Sequence, residues 1–488
     1  MRKISVVAVL ATSLYACHQK SDLMNRKDRA ASPVPSPNQQ PPSPPSTGTP
    51  GQPGDTSYHP VALTESFADM RSRLIAGKGD AEKLQNDLLN QRYDMSQRSE
   101  AGVTMSRGKP VQTGVRARLA PNMTWDKLAQ MKPEEIRQQN AFPGGFMPLP
   151  HPRHDEGGQV LPQFHIDEIQ AAEERNLLRF DVEHDIPDHF LPEFPPPIFL
   201  TTRPDLGDVS QGVLLTTKNF FPIFDGVLTP RQLDGLRLLL TPFAQQQFNL
   251  TTDRRTDEAE LGISCFDCHA NGHTNGAVHL DPVTRPQENR RRLDVPTLRG
   301  LNVQRLFGSQ RAMKTVEDFT EFEQLGAYFD GDHVTVAKKG FNKLDRALQV
   351  AHMAEFQSIL DFPPAPKLDI NGKLIADLAT PAELRGEQLF NNKAACASCH
   401  AGPYFTDNSM HDLKVERFFN PQKINGRLMT SVGPIKTFPL RGIRHSPPYL
   451  HDGRLLTLDD TVEFFNIVLQ LRLTEAEKKD LLAFLYVL

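Results

Sequence analysis

Cysteine is scarce in this sequence. There are five in 488 residues, Cys17, Cys265, Cys268, Cys396 and Cys399. Four form two close pairs and the fifth stands alone near the start, so none is left for a structural disulfide. Charge of one sign is missing too: Lys plus Arg (55) nearly balances Asp plus Glu (59), for a net charge of −4. Without a polyelectrolyte field, nucleic acid is excluded as a natural partner. There is one tryptophan, Trp125. The most apolar stretch near the start, Ile4 to Tyr15, is too short to cross a bilayer, which takes about 20 residues. Proline, by contrast, is plentiful at 40.

The paired cysteines read Cys265-Phe266-Asp267-Cys268-His269 and Cys396-Ala397-Ser398-Cys399-His400. Each is C-x-x-C-H, the attachment sequence of a c-type haem. The two thiols add across the haem vinyl groups, and the adjacent histidine reaches the iron from the proximal side. One copy alone would also suit a zinc half-site or a redox dithiol. Two copies that use every cysteine but one point to two tethered haems and to electron transfer between them.

The lone Cys17 has its own context. Met1-Arg2-Lys3 is a basic start, Ile4 to Tyr15 is apolar, and Leu14-Tyr15-Ala16-Cys17 has the form of a lipobox. The expectation is a lipoprotein signal over 1–16, with Cys17 lipidated and the protein exported. The alternative is an ordinary cleaved signal. Lipid on Cys17 would anchor the chain on a membrane without spanning it. The expected location is the periplasm, on the outer membrane. Residues 17–55 follow as a tether, in which Ser32 to Asp55 holds nine prolines and has too few apolar residues to form a core.

Residues 56–227 form an extension that says little about its role. Helices are expected over Ala68 to Gln97 and Thr124 to Gln139, then irregular, proline-rich chain wrapping over other parts. His151, His154, His165, His184 and His189 read as surface or loop histidines, with a distal haem ligand or metal site as the alternative.

From Leu228 the signals sharpen. Thr229-Pro230-Arg231-Gln232 and Thr380-Pro381-Ala382-Glu383 are capping boxes with proline at the first helical position. Each stands upstream of a C-x-x-C-H. Downstream, Leu298-Arg299-Gly300 matches Leu440-Arg441-Gly442 at an offset of 142. Phe307 then falls on Tyr449, and Thr315-Val316-Glu317-Asp318 on Thr457-Leu458-Asp459-Asp460. The chain contains an internal duplication. A third capping box, Thr474 with Glu477, opens a closing helix with an apolar stripe. Leu344 to Leu360 reads as helix, and the proline run from Phe362 marks the boundary between the halves.

These features, with Val295-Pro296-Thr297-Leu298-Arg299, Phe438-Pro439-Leu440-Arg441-Gly442-Ile443 and Pro448-Tyr449-Leu450-His451-Asp452-Gly453, resemble the bacterial dihaem cytochrome c peroxidase family, including its MauG-type enzymes. The resemblance covers roughly 228–488. It implies a mainly α fold: two class-I cytochrome c-like haem domains, 228–370 and 371–488, preceded by the irregular proline-rich extension. It implies hydrogen peroxide reduction at the first haem, with electrons relayed by the second. A small c-type cytochrome or cupredoxin would donate them, and a homodimer is the expected assembly. A MauG-type oxidant of a protein or organic substrate, or a tethered electron carrier without enzymatic chemistry, are the alternatives. His269 and His400 would be proximal ligands. Arg299 and Arg441 are suited to haem propionates, because a guanidinium binds a carboxylate bidentately. A calcium between the domains would take Asp294, where the family has asparagine, and the carbonyls of Ser446 and Pro448.

The sequence also departs from the family. Phe465 stands where the family has a methionine or tyrosine ligand to the second haem, which leaves Met410, His411 and Met429 as chemical alternatives. His279, ten residues after His269, lies in the loop where some members carry a distal histidine that is released on activation. A distal acid is needed to move a proton between the peroxide oxygens, and Glu317, Glu321, Glu323 and Asp330 are the candidates. The aromatic bridge before the second motif is missing, because Ala395 stands there.

Overall fold

The computed structural model describes residues 65–179, 182–183, 186–242, 263–280, 291–324, 344–424, 427–428 and 432–488. It is mainly α-helical, with a few short strands. The signal, the tether, His184, Asp330 and Met429 lie outside the described residues.

Capping fixes the main helices where the sequence places them. The Thr229 hydroxyl accepts the Gln232 N–H at 3.3 Å and Gln232 Oε1 accepts the Thr229 N–H at 3.0 Å, opening Pro230–Leu240. The same reciprocal pairs open Pro381–Asn391 and Glu475–Leu485. Two helix crossings follow. Pro230–Leu240 packs on Ala351–Gln357 at Gly235, where an added Cβ would stand 2.0 Å from the His352 carbonyl oxygen. Pro381–Asn391 packs on Glu475–Leu485 at Gly386, where a Cβ would stand 2.0 Å from the Asp480 carbonyl oxygen. In each half, the helix before the C-x-x-C-H meets the last helix at a glycine that lets the backbones touch.

The duplication is structural as well. Gly300 and Gly442 both take left-handed backbone, φ 72° and 71°, which a side chain would resist. Their N–H groups reach the Leu360 and Leu488 carbonyls, both at 2.9 Å. Each opens a 3-10 turn, Leu301–Val303 and Ile443–His445. Phe307 bridges Met313 as Tyr449 bridges Leu455. Thr315 and Thr457 then cap the helices Val316–Glu323 and Leu458–Val468.

The extension is built into both cores. Leu128, Ile136, Phe142 and Phe146 share one core with Phe390, Phe405, Phe464 and Phe484. Trp125 packs on Phe146 with ring centroids 5.5 Å apart. Ile198, Leu200, Leu215 and Phe224 share the other core with Leu236, Phe266 and Phe356. The expected helix over 68–97 ends sooner and breaks at Gly77 into Phe67–Ala76 and Lys78–Arg92. That over 124–139 is split before Pro133 into Trp125–Gln130 and Pro133–Gln138. The histidines differ from expectation: His151, His154 and His165 are buried, because the extension folds them against the rest of the chain. No described helix is long and apolar enough to cross a membrane.

Candidate functional site

The first motif is a short helix, Cys265–Cys268. Its start is held by Asp267, whose Oδ2 accepts the Ser264 N–H at 2.7 Å. Asp267 is fully enclosed, and the extension supplies its counter-charge: Arg175 donates to both carboxylate oxygens at 2.9 and 2.8 Å. His165 Nε2 lies 3.8 Å from Oδ1. Burial alone would raise the Asp267 carboxyl, but Arg175 and His165 outweigh it and hold it well below the usual carboxylate range. Sequence reasoning missed both partners, since contacts across about 100 positions leave no local pattern.

His269 is neutral at physiological pH, as an iron ligand must be. Burial, joined by the nearby His279, pushes its imidazole down to about 4, with the Pro296 carbonyl opposing. The sequence placed His279 in a loop. The structure puts it on Val278–Leu280, the central strand of a three-stranded antiparallel sheet, with Gln159 and Leu293 as register partners. Ladders on both sides hold its backbone. His273 is buried: its Nε2 donates to the His445 carbonyl at 2.8 Å, and its Nδ1 accepts from the Thr297 hydroxyl at 2.7 Å.

The acid candidates separate. Glu321 is paired with Arg346, which also binds Asp318. Glu317 lies in the first turn of Val316–Glu323. Glu323, half-buried at that helix's end, is near enough to Cys268 for its charge to add to burial in raising the thiol's pKa.

The second motif is a 3-10 turn, Cys396–Ser398, entered through Ala395 in left-handed backbone. His400 Nδ1 donates to the Phe405 carbonyl at 2.9 Å. That bond sets the tautomer and leaves Nε2 as the metal-binding nitrogen. Burial lowers the His400 pKa, which favours the neutral ring. Half-buried Ala397, Leu440, Ile443, Leu450 and Phe465 pack around the same core as Cys396. Paired thiols, a neutral histidine and a half-covered apolar cradle fit a thioether-bound haem. Phe465 sits edge-on to Phe464, centroids 5.3 Å apart, and has no donor to offer. His411 lies near His400 but its ring is bonded to Asp407 at 2.7 Å. Met410 lies on the strand paired with Ile435–Lys436.

The two candidate propionate arginines are both bonded to backbone carbonyls. Arg299 is buried, bonded to the Pro197 carbonyl and stacked over Phe199. Burial pushes its guanidinium down to about 9, with Asp208 and Glu193 opposing. Arg441 donates to the Leu488 carbonyl at 2.9 Å and the Pro363 carbonyl at 3.2 Å.

Asp294 is brought to the turn that holds Ser446 and Pro448. Its N–H bonds the His451 carbonyl at 2.9 Å. A Cβ on Gly453 would lie 3.6 Å from Asp294 Oδ1 and 3.0 Å from Pro448. Oδ1 is buried with no hydrogen-bond partner. Burial raises the carboxyl well above its usual range, Arg292 opposing and Asp452 adding to the rise. An orphaned buried carboxylate oxygen is a hard donor of the kind a cation such as calcium takes. The described residues hold no group of three or more His, Cys, Asp or Glu able to bind a metal, so carbonyls and water would complete the shell.

The motifs differ most in exposure. Around the first, Ser264, Phe266, Asp267 and all of 270–278 are buried. Around the second, Ala395, Ser398 and all of 401–404 are exposed.

No family model matches the chain. Curated relatives do. It is 34% identical over 115 residues to methylamine utilization protein MauG of Methylorubrum extorquens, covering 21% of this chain and 33% of that protein. It is 28% identical over 175 residues to cytochrome-c peroxidase IdrP2 of Pseudomonas sp. strain SCT, covering 28% and 47%. The chain therefore spans a third to a half of the length of these relatives. A solved MauG-like protein associated with microbial copper homeostasis is 17% identical over 54% of this chain and 90% of that one, with a TM-score of 0.36. That superposition is too loose to carry an argument. The motifs are those of a c-type cytochrome. Within that class, the matched stretches are similar to MauG and to cytochrome-c peroxidases.

Proposed function

We propose that the chain is a two-domain dihaem enzyme that reduces hydrogen peroxide to water, taking electrons at the second haem and using them at the first. The balance is one peroxide, two protons and two electrons to two waters. The carrying observation is the contrast in exposure of the flanking chain: the residues around the first motif are buried and those around the second are exposed. A surface site suits exchange with a reductant, and an enclosed one suits chemistry that must exclude other reactions.

The two haems, when bound, supply the redox chemistry. Cys265, Cys268, Cys396 and Cys399 would hold them, and His269 and His400 would present neutral nitrogens to the irons. Glu323 would hold and pass the proton at the first site. Arg299 and Arg441 would meet propionates. Asp294, with the Ser446 and Pro448 carbonyls, would hold calcium and tie the halves together. Cys17 would carry lipid and keep the enzyme on the periplasmic face of the outer membrane. The donor would be a small c-type cytochrome or cupredoxin, and the expected assembly remains a homodimer. The same exposed second motif would also serve a MauG-type oxidant that takes its electrons from a protein or organic substrate.

The test uses the full-length holoprotein, which is expected in the membrane fraction and released from it by Cys17→Ser. Peroxide turnover with a reduced c-type cytochrome is expected, falling about 100-fold in Glu323→Gln and little changed in Glu321→Gln. Turnover with an organic or protein reductant alone supports the MauG-type reading instead. Two six-coordinate low-spin irons inert to peroxide would sink both.

A further inference from the structure

His273 joins two turns that the duplication makes equivalent. On one side is the first L-R-G turn. The Thr297 hydroxyl donates to His273 Nδ1 at 2.7 Å and itself accepts the Arg299 N–H at 3.1 Å. On the other side is the second L-R-G turn, where the His445 carbonyl accepts from His273 Nε2 at 2.8 Å. A carbonyl can only accept, so the Nε2 carries the proton and Nδ1 is the acceptor. Both ring nitrogens are thereby committed, and the tautomer is fixed. The ring is 2% exposed. Burial, with Arg299 nearby, keeps it neutral.

The ring lies close in sequence to the first motif, and its partner lies close to the second L-R-G arginine. His273 is four residues beyond His269, and His445 is four residues beyond Arg441. The His273–His445 hydrogen bond therefore ties the segment just after the first motif directly to the second L-R-G turn. Ala395 stands directly before the second motif, and Trp125 is packed against Phe146.

We propose that His273 is the positioning residue for electron transfer between the two haems: its Nε2–H···O=C bond to His445 ties the segment after the first motif to the second half and so holds the two haem-binding halves in register. This rests on the dihaem reading above. In the step, one electron leaves the reduced iron at the second site and arrives at the oxidised iron at the first. The imidazole keeps its proton and its electrons throughout, so no other reactant is needed.

The test compares His273→Phe, which keeps a ring but removes both hydrogen bonds, with His273→Gln, which can donate and accept. The full-length holoprotein is reduced by a light pulse, and the inter-haem transfer rate is followed by haem-resolved absorbance. Midpoint potentials and thioether haem content are measured alongside. With both haems attached and potentials unchanged, His273→Phe is expected to slow transfer several-fold, because the two halves lose the bond that holds them in register. His273→Gln is expected to recover most of the rate. Wild-type transfer in His273→Phe overturns the proposal, as does a His273→Gln protein as slow as His273→Phe. The light-driven rate needs no peroxide, so failure of the peroxidase reading and failure of the His273 role are separable.

Discussion

Asp460 shows how much one side chain decides. It is fully buried, and its Oδ1 accepts the backbone N–H groups of Arg116 at 2.8 Å and Ala117 at 3.1 Å. Its other oxygen has no partner. Burial raises its pKa to about 7, against the two N–H groups, which lower it. A carboxyl raised on folding stabilises the protein below its unfolded pKa, near 4. That contribution is lost as pH climbs through the folded value, about 7 here. The loss across that window is on the order of 4 kcal/mol. Asp460→Asn keeps an acceptor for both N–H groups and removes the titration. Thermal midpoints at pH 5 and pH 8 should therefore drop more in wild type than in the variant. Equal drops would show that Asp460 does not titrate in this range. Residues of this kind were only partly legible in the sequence. Cys265, His269, Cys396 and His400 were plain because haem attachment demands contiguous residues. Arg175 and His165 beneath Asp267, and the extension backbone on Asp460, were not, because the partners are brought together only by folding.

At the scale of elements, local signals read well and packing did not. Capping boxes are complete within four residues, and all three that the sequence showed are formed. The duplicated L-R-G turns were legible for the same reason, since a left-handed glycine and a following cap are local demands. His279 looked like a loop residue because its strand spans three positions and owes its pairing to Gly158–Val160 of the extension. The glycines at the helix crossings were silent, because a glycine inside a helix usually only weakens it. Here Gly386 lets the first and last helices of the second half touch, and Gly235 does so in the first. Gly386→Ala should lower stability by about 3 kcal/mol, the upper end of the usual cost of overpacking. Haem content should fall at the second motif before the first. Gly235→Ala should show the reverse order. Calorimetry with haem stoichiometry on the purified variants checks both, and unchanged melting in either would mean that its backbones part without cost.

At the scale of the molecule, the extension is a component of both cores and not an appendage. Leu128, Ile136, Phe142 and Phe146 lie in the core that surrounds the second motif. Burying four such side chains contributes roughly 6–12 kcal/mol, against a net stability for a folded protein of about 5–15 kcal/mol. Polar partners would be lost with them. Asp452 would lose the Leu149 N–H, bonded at 2.8 Å, and the buried Arg454 would lose the Phe146 carbonyl. Asp267 would lose Arg175, the counter-charge that binds both its oxygens. A chain that begins at residue 228 should therefore fail to fold as a dihaem protein, although it holds every residue that carries the family resemblance. The expected result is aggregation or loss of haem on both motifs, measured by haem stoichiometry and circular dichroism. A soluble, fully loaded protein of that length would show that the extension only covers cores able to form without it.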